Sequence, residues 1–330
     1  MLLNTAGLLN QAQAFPYGVS SSVKANGSAD LPLEFAEKVG VYDFDQPQVA
    51  ILDNATLAGP ICVCFWNDDI VLDVAYFGRM DTWDRNRLYF NQAVESKRRF
   101  RPMQIEQACS LLGVWSGNYF HWTLEVLPMV EGLLHILNDV VFLVEHQPKP
   151  WVRESLQAIG VTNILPIQDM HYEITKLYVP TVRRRDGRTS PDSVAFLRQV
   201  AAEIEPAEFQ KIYISRQDAN KRKITNEREV MKFLAGKGFT PVVFAGMSWK
   251  EQVSIAKGAS EVVAPHGAGL VNLVYNNRQP TIIELATPEY LNPCFYTLAA
   301  AMGAQHKLLV GQPKPGENIY IDLDQLEGVL

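Results

Sequence analysis

His121 and Glu125 stand four apart in Gly117-Asn118-Tyr119-Phe120-His121-Trp122-Thr123-Leu124-Glu125-Val126-Leu127-Pro128, a spacing that places both on one face of a helix. Imidazole titrates near neutrality, and a carboxylate beside it fixes its orientation, so the pair is suited to removing a proton from a hydroxyl. Spacing leaves the assignment open. His121 can be the base with Glu125 orienting it, or Glu125 the base with His121 positioning the substrate. An i, i+4 pair can equally be a structural contact of the helix.

A second kind of chemistry is written in Ala264-Pro265-His266-Gly267-Ala268-Gly269-Leu270-Val271-Asn272. An apolar strand ends in small residues and opens into a helix, where free N–H groups and the positive end of the helix dipole suit a diphosphate. Gly267, Ala268 and Gly269 leave room for close approach, while the alternative is a tight packing turn with a satisfied histidine. Arg216 follows the strand-like run Lys211–Ser215, and Arg222 lies in the adjoining Lys221-Arg222-Lys223. Guanidinium geometry matches phosphate oxygens, so both arginines are candidate clamps, although Lys221 and Lys223 also fit a solvated loop. Glu284, late in Thr281-Ile282-Ile283-Glu284-Leu285-Ala286, could accept from two ribose hydroxyls or cap a neighbouring helix.

These segments need a scaffold, and the pattern around them supplies one. From residue 211 short β-branched runs alternate with helices expected near 226–238, 249–258 and 293–303, which predicts parallel strands with right-handed crossovers. Ser248 with Glu251 is a capping box and Asn226 with Glu229 a variant of one. The earlier half is less regular, with strand-like runs near residues 48–75, a long helix expected from 118 to 137, and another near 151–159. Residues 183–191, polar and basic with Gly and Pro, read as a linker. The expected division is therefore one domain over 1–188 and a second over 189–330, which would hold the acceptor and the phosphate-bearing ligand respectively under the resemblance described below.

A chain of 330 residues with 47% hydrophobic and 20% charged residues supports two cores of roughly 150 residues each. Its net charge of −6 argues against a nucleic-acid partner, so any anion site is local. The apolar runs fall short of the ~20 residues of a membrane span, and the first residues lack the basic start of a secretory signal. A cytoplasmic protein with at most peripheral membrane contact is expected. The four cysteines, Cys62, Cys64, Cys109 and Cys294, show no zinc spacing and read as buried thiols. Asp43-Phe44-Asp45 and Asp68-Asp69 read as turn residues and not as metal ligands.

Taken together the chain resembles glycosyltransferase family 61. The resemblance rests on residues 117–128, Ile214-Ser215-Arg216, Arg222 to Glu227, Glu251-Gln252-Val253, the Ala264–Asn272 run and Ile282–Leu285, and covers roughly residues 110–305. It implies an α/β, GT-B-like fold with two Rossmann-like doubly wound domains facing a cleft. It also implies inverting, metal-independent transfer of a sugar from a nucleotide-sugar, a UDP-sugar by preference, to a glycan or lipid-linked glycan acceptor of surface polysaccharide, at the inner face of the membrane and with no cofactor. Under that reading His121 and Glu125 are catalytic. Arg216, Arg222, His266, Gly267, Ala268, Gly269, Asn272 and Glu284 bind the donor, and Asn118 and Trp122 lie on the acceptor side. The competing readings are a nicotinamide-dependent oxidoreductase, disfavoured because no G-x-G-x-x-G follows a strand with an acid ~20 residues on, and an inactive glycan-binding protein.

Overall fold

The computed structural model describes residues 2–28, 31–76, 87–168 and 171–330. The protein is mixed α/β and forms two compact units, Met1–Ser20 with Asp45–Arg183, and Ser21–Phe44 with Arg184–Leu330. The observed boundary follows Arg183, and residues 21–44, expected in the first domain, fold with the second unit. Their hairpin, Ser21–Ala25 against Gly40–Phe44, carries Phe35 into a small core with Ala25 and Tyr296. That apolar anchor explains why they leave the first unit.

The first unit is built on a nine-stranded sheet. Met103–Ser110, Val141–Val144, Ile164–Pro166 and His171–Pro180 pair in parallel. Gln48–Ala58, Val63–Trp66 and Asp69–Val71 pair antiparallel, and Gln48–Ala58 joins the two halves antiparallel to His171–Pro180. The sheet is thus mixed and not parallel throughout, and the expected doubly wound order is confined to its parallel half. A parallel pair needs a crossover of about a dozen residues or more, which the helical segments Tyr119–Ile136 and Pro150–Ile159 provide. The strands around residue 65 are too closely spaced for one. Val63–Trp66 returns through Asn67-Asp68, with φ of 48° and 65°, a pair of left-handed residues that suits a two-residue hairpin. Asp68 is thus a turn residue as expected, whereas Asp43 lies inside the strand Gly40–Phe44. Leu52, Leu57, Ala108, Leu143, Tyr172, Ile174 and Leu177 fill the core.

The second unit holds a five-stranded sheet, all parallel. Its order is Thr240–Val242, Lys211–Ile214, Glu261–Pro265, Thr281–Ala286, Gln305–Val310. The second strand in sequence lies to one side of the first and the third to the other, so the winding reverses between Lys211–Ile214 and Glu261–Pro265. Ligands of open α/β sheets bind outside the carboxyl ends of the strands at such a reversal. Tyr213, Val263, Ile283 and Leu285 pack with Val230 and Leu234 of the helix Glu227–Gly236 and with Leu326 of Leu323–Val329.

The capping box of Ser248 and Glu251 forms as expected. Asn226 does not cap its helix; its side chain instead bonds Ile321 at both N–H and carbonyl, tying the helix start to the C-terminal segment. The proposed linker is structured, too. Arg184–Arg185 and Arg188–Thr189 form a hairpin whose turn, Asp186-Gly187, has φ of 48° and 73°, so the basic residues mark a tight turn and not a flexible joint. No helix among the described residues is long and apolar enough to cross a membrane.

Candidate active site

In the first unit the stretch carrying His121 begins where Asn118 accepts from the Phe120 N–H at 2.9 Å. It is not one regular helix. After Tyr119–His121 it widens into a π-helical turn over Trp122–Val126, where the Leu127 N–H reaches back to the Trp122 carbonyl, and then tightens into 3₁₀ geometry over Leu127–Ile136. Pro128 near the start of the last segment has no N–H to donate, which weakens regular α bonding there. Such π-turns inside helices are frequent at functional sites.

His121 Nδ1 lies 2.9 Å from Glu125 Oε2. The histidine side chain is 20% exposed and that of Glu125 1%. An ionised carboxylate only accepts, so Nδ1 carries the hydrogen, and in the neutral ring Nε2 is left with the lone pair. That is the tautomer of a base. A residue as buried as Glu125 orients the imidazole and has little surface with which to meet a substrate.

The two residues expected on the acceptor side have other work. Asn118, exposed at the surface, gives its side-chain oxygen to the cap. Trp122 is buried at 2% exposure, and its indole N–H donates to Ser155 Oγ at 3.0 Å, so it is a core residue and does not face an acceptor. The sequence reading missed Trp115 and Glu145. Trp115 is 43% exposed, and its ring stacks on His121 at 5.8 Å with an interplanar angle of 23°. Glu145 directly follows the strand Val141–Val144 and accepts from Ser116 Oγ at 3.2 Å. The order Trp-Ser-Gly-Asn ahead of a helix was the available signal.

In the second unit Arg216 and His266 each follow the carboxyl end of a strand, Lys211–Ile214 and Glu261–Pro265, and so flank the reversal point of the sheet. Gly267 is extended, with φ 174°, a conformation open to any residue. Glycine is needed there for space, because a Cβ would stand 1.7 Å from Arg216 Nη1. Arg216 therefore lies across the turn. Gly269 plays the same part against Ile214 and Phe244, each 3.2 Å from its absent Cβ. No side chain caps the 3₁₀ helix Ala268–Tyr275 that starts after Gly267.

Arg222 sits in a left-handed backbone, φ 60°, within a loop pinned by Thr225 N–H to Ile319 O at 2.7 Å and by the Lys221–Glu317 ion pair at 2.6 Å. Its guanidinium lies 4.7 Å above the Tyr290 ring, whose edge meets the His266 ring at 5.2 Å. Burial and then the like charge of Arg222 pull Arg216 below the usual guanidinium range, with the Asp218 carboxylate partly opposing them. The Nε atoms of both arginines are buried without a hydrogen-bond partner among the described residues. Among the described residues neither is ion-paired with a carboxylate. Two clustered, half-buried cations left in this way suit an anion.

Glu284 and Asn272 do not face that site as expected. Glu284 is fully buried and holds a very short contact to His266 Nδ1 and one of 2.7 Å to His306 Nε2. Burial by itself would raise its pKa, but the bonds and charge of His266 and then His306 hold it at about 2. Both oxygens are occupied, so Glu284 positions His266 and is closed to ribose hydroxyls. Asn272, also fully buried, donates to Gln252 Oε1 at 3.1 Å and to Gly269 O at 3.3 Å, stitching the turn to the helix Trp249–Gly258. His306 was missed because only the pairing of strands brings it to Glu284. Phe35 and Tyr296 flank its ring at 6.1 and 5.8 Å.

All four cysteines are free and buried. Burial raises each thiol, that of Cys62 to about 12, so none is an activated nucleophile.

The sequence model of the family described as Glycosyltransferase 61 matches residues 119–283. The match spans half of the chain and takes in His121, Glu125, Arg216, Arg222 and the turn at His266–Gly269, ending just before Glu284. No curated protein matches the chain significantly.

Proposed function

The chain belongs to glycosyltransferase family 61, and from that premise we propose that it moves a sugar from a nucleotide-sugar, a UDP-sugar, to a hydroxyl of a glycan or lipid-linked glycan in surface polysaccharide synthesis, with inversion and without a metal. A GT-B arrangement and action at the cytoplasmic face of a membrane belong to the same proposal. One observation carries it: Arg216 and Arg222, clustered, half-buried and in no close ion pair with a carboxylate among the described residues, stand beside an uncapped helix start at the reversal point of a parallel sheet.

In the proposed reaction His121 Nε2 takes the proton of the acceptor hydroxyl while that oxygen forms the new bond to the anomeric carbon. The bond from that carbon to the diphosphate oxygen breaks. The leaving diphosphate keeps the electron pair, and Arg216, Arg222 and the N–H groups after Gly267 neutralise it, which is the part a metal plays in metal-dependent transferases. Glu125 holds the Nδ1 hydrogen and stabilises the imidazolium that forms.

The test is calorimetric titration of UDP in EDTA. Wild type should bind, and Arg216→Ala should lose roughly 1.5 to 3 kcal/mol, the worth of a hydrogen bond to a charged group. UDP binding that is unchanged in Arg216→Ala, or that needs magnesium or manganese, overturns the assignment.

A further inference from the structure

We propose that Trp115 is the floor of a saccharide subsite beside His121, with Glu145 as its polar wall, and that it takes an uncharged pyranose of the acceptor in preference to a uronic acid. The inference rests on the reading of His121 as the base of a sugar transferase.

Trp115 is held out in water by its surroundings. Leu111 and Leu112, each 1% exposed, anchor the start of the turn, and the Leu111 N–H donates to the Leu143 carbonyl at 2.9 Å. The Ser116 N–H donates to the Gly113 carbonyl at 3.1 Å and the Asn118 N–H to the Trp115 carbonyl at 2.9 Å. Ser116 Oγ closes the turn from inside, with contacts of 2.9 Å to the Gly113 carbonyl and 3.2 Å to the Gly113 N–H. An indole kept 43% exposed on so fixed a backbone gives up burial that would favour the fold.

What surrounds the indole suits a sugar. A pyranose has an apolar C–H face, which packs on an aromatic ring, and a rim of hydroxyls that donate and accept. Glu145 supplies the acceptor: its carboxylate is half-buried, and Gly117 is packed so closely on it that a Cβ there would stand 2.7 Å from Glu145 Oε1. Oε1 takes the Ser116 hydroxyl, and the carboxylate's remaining acceptor capacity faces a sugar hydroxyl. A second carboxylate, as on a uronic acid, would meet like charge. His121 is the ring stacked against Trp115, so a sugar on the indole lies next to the proposed base. Trp122, the nearer aromatic in sequence, is sealed in the core and cannot serve.

The probes are methyl β-D-glucopyranoside and its uronic counterpart, methyl β-D-glucuronide, titrated into the full chain by saturation-transfer NMR. Wild type should bind the neutral glycoside at least 10-fold more tightly than the glucuronide. Trp115→Ala should weaken the neutral glycoside at least 10-fold and Trp115→Phe by less than about 3-fold, because a ring is retained. Glu145→Gln should close most of the gap between the two glycosides. UDP affinity, measured on the same samples, should be unchanged in all three variants and shows that they are folded. If Trp115→Ala and Trp115→Phe bind as wild type does, or if wild type binds neither glycoside, the subsite is overturned. Failure of wild type to bind UDP while glycoside binding depends on Trp115 would sink the transferase reading and leave the subsite standing.

Discussion

Two carboxylates in this chain each hold a histidine through Nδ1, and they are assembled by different means. Glu125 reaches His121 across a single helical turn. Glu284 reaches His266, 18 residues away, and His306, 22 residues away, because three parallel strands lie side by side. The difference in setting matters more than the difference in spacing. His121 keeps 20% of its side chain in solvent, so its outer nitrogen can exchange a proton with an incoming group. His266 keeps 6% and Glu284 none, and His266 Nε2 faces Cys294 Sγ at 3.9 Å. The first pair can do acid/base work, whereas the second is a closed strut that holds the turn at Gly267 in place. A histidine bonded to a carboxylate is thus not by itself a catalytic unit; access decides.

The largest effect expected from this contrast is on rate. His121→Ala should lower turnover 10²–10⁴-fold, the usual worth of a positioned base, with UDP affinity retained, and steady-state kinetics beside calorimetry will show it. Glu125→Gln should lose less, because the imidazole remains. Near-normal turnover in His121→Ala would reduce the pair to a helix contact and erase the distinction.

The strut should answer in stability. Glu284→Gln leaves an amide between two buried ring nitrogens, and breaking a buried pair of this kind costs about 3–5 kcal/mol, readable as a lower urea midpoint. In the wild type the Glu284 pKa falls from 4.5 unfolded to about 2 folded. Its contribution is therefore complete above about pH 4.5 and is lost as pH falls through about 2. A Glu284→Gln protein within about 1 kcal/mol of wild type would mean that the network bears no load.

A third buried carboxylate sharpens the comparison because it has no histidine. Asp73 is 1% exposed and accepts from Thr5 Oγ1 at 2.6 Å, while its Oδ2 has no hydrogen-bond partner among the described residues. Burial raises it from 3.8 to about 6, with the Thr5 bond only partly offsetting. Here the sign is opposite: the favourable contribution is complete below about pH 3.8 and is lost as pH rises through about 6. Asp73→Asn should therefore stabilise the protein by up to about 3 kcal/mol at pH 8, with the gain vanishing near pH 3.5 in paired urea titrations. An equal gain at both pH values would show that charge is not the cause.

The second unit was the more legible of the two. Its strands and helices alternate with little interruption, so the elements from Lys211 to Met302 could be placed within a few residues, and Ser248 and Gly267 could be singled out. The first unit mixes sheet senses, and its key helix changes pitch at Trp122 and again at Leu127, where periodicity carries no clear signal. Residues 21–44 could not be read because what stabilises them, Phe35 against Tyr296, is a contact between chain ends far apart in sequence.

The sequence by itself determined what depends on neighbours along the chain: the His121–Glu125 spacing, the small-residue turn after a strand, the parallel winding of the second unit and the family. These follow from helical and strand periods and from the needs of turns, which are local. Only the tertiary structure decided which polar groups remain open. It closed Glu284, Asn272 and Trp122 by burial and hydrogen bonding, left Trp115 in solvent, and set Arg216 across Gly267. Burial is a sum over residues that meet from distant positions, so a side chain's type fixes what it could bond while packing fixes whether anything is left to bond with.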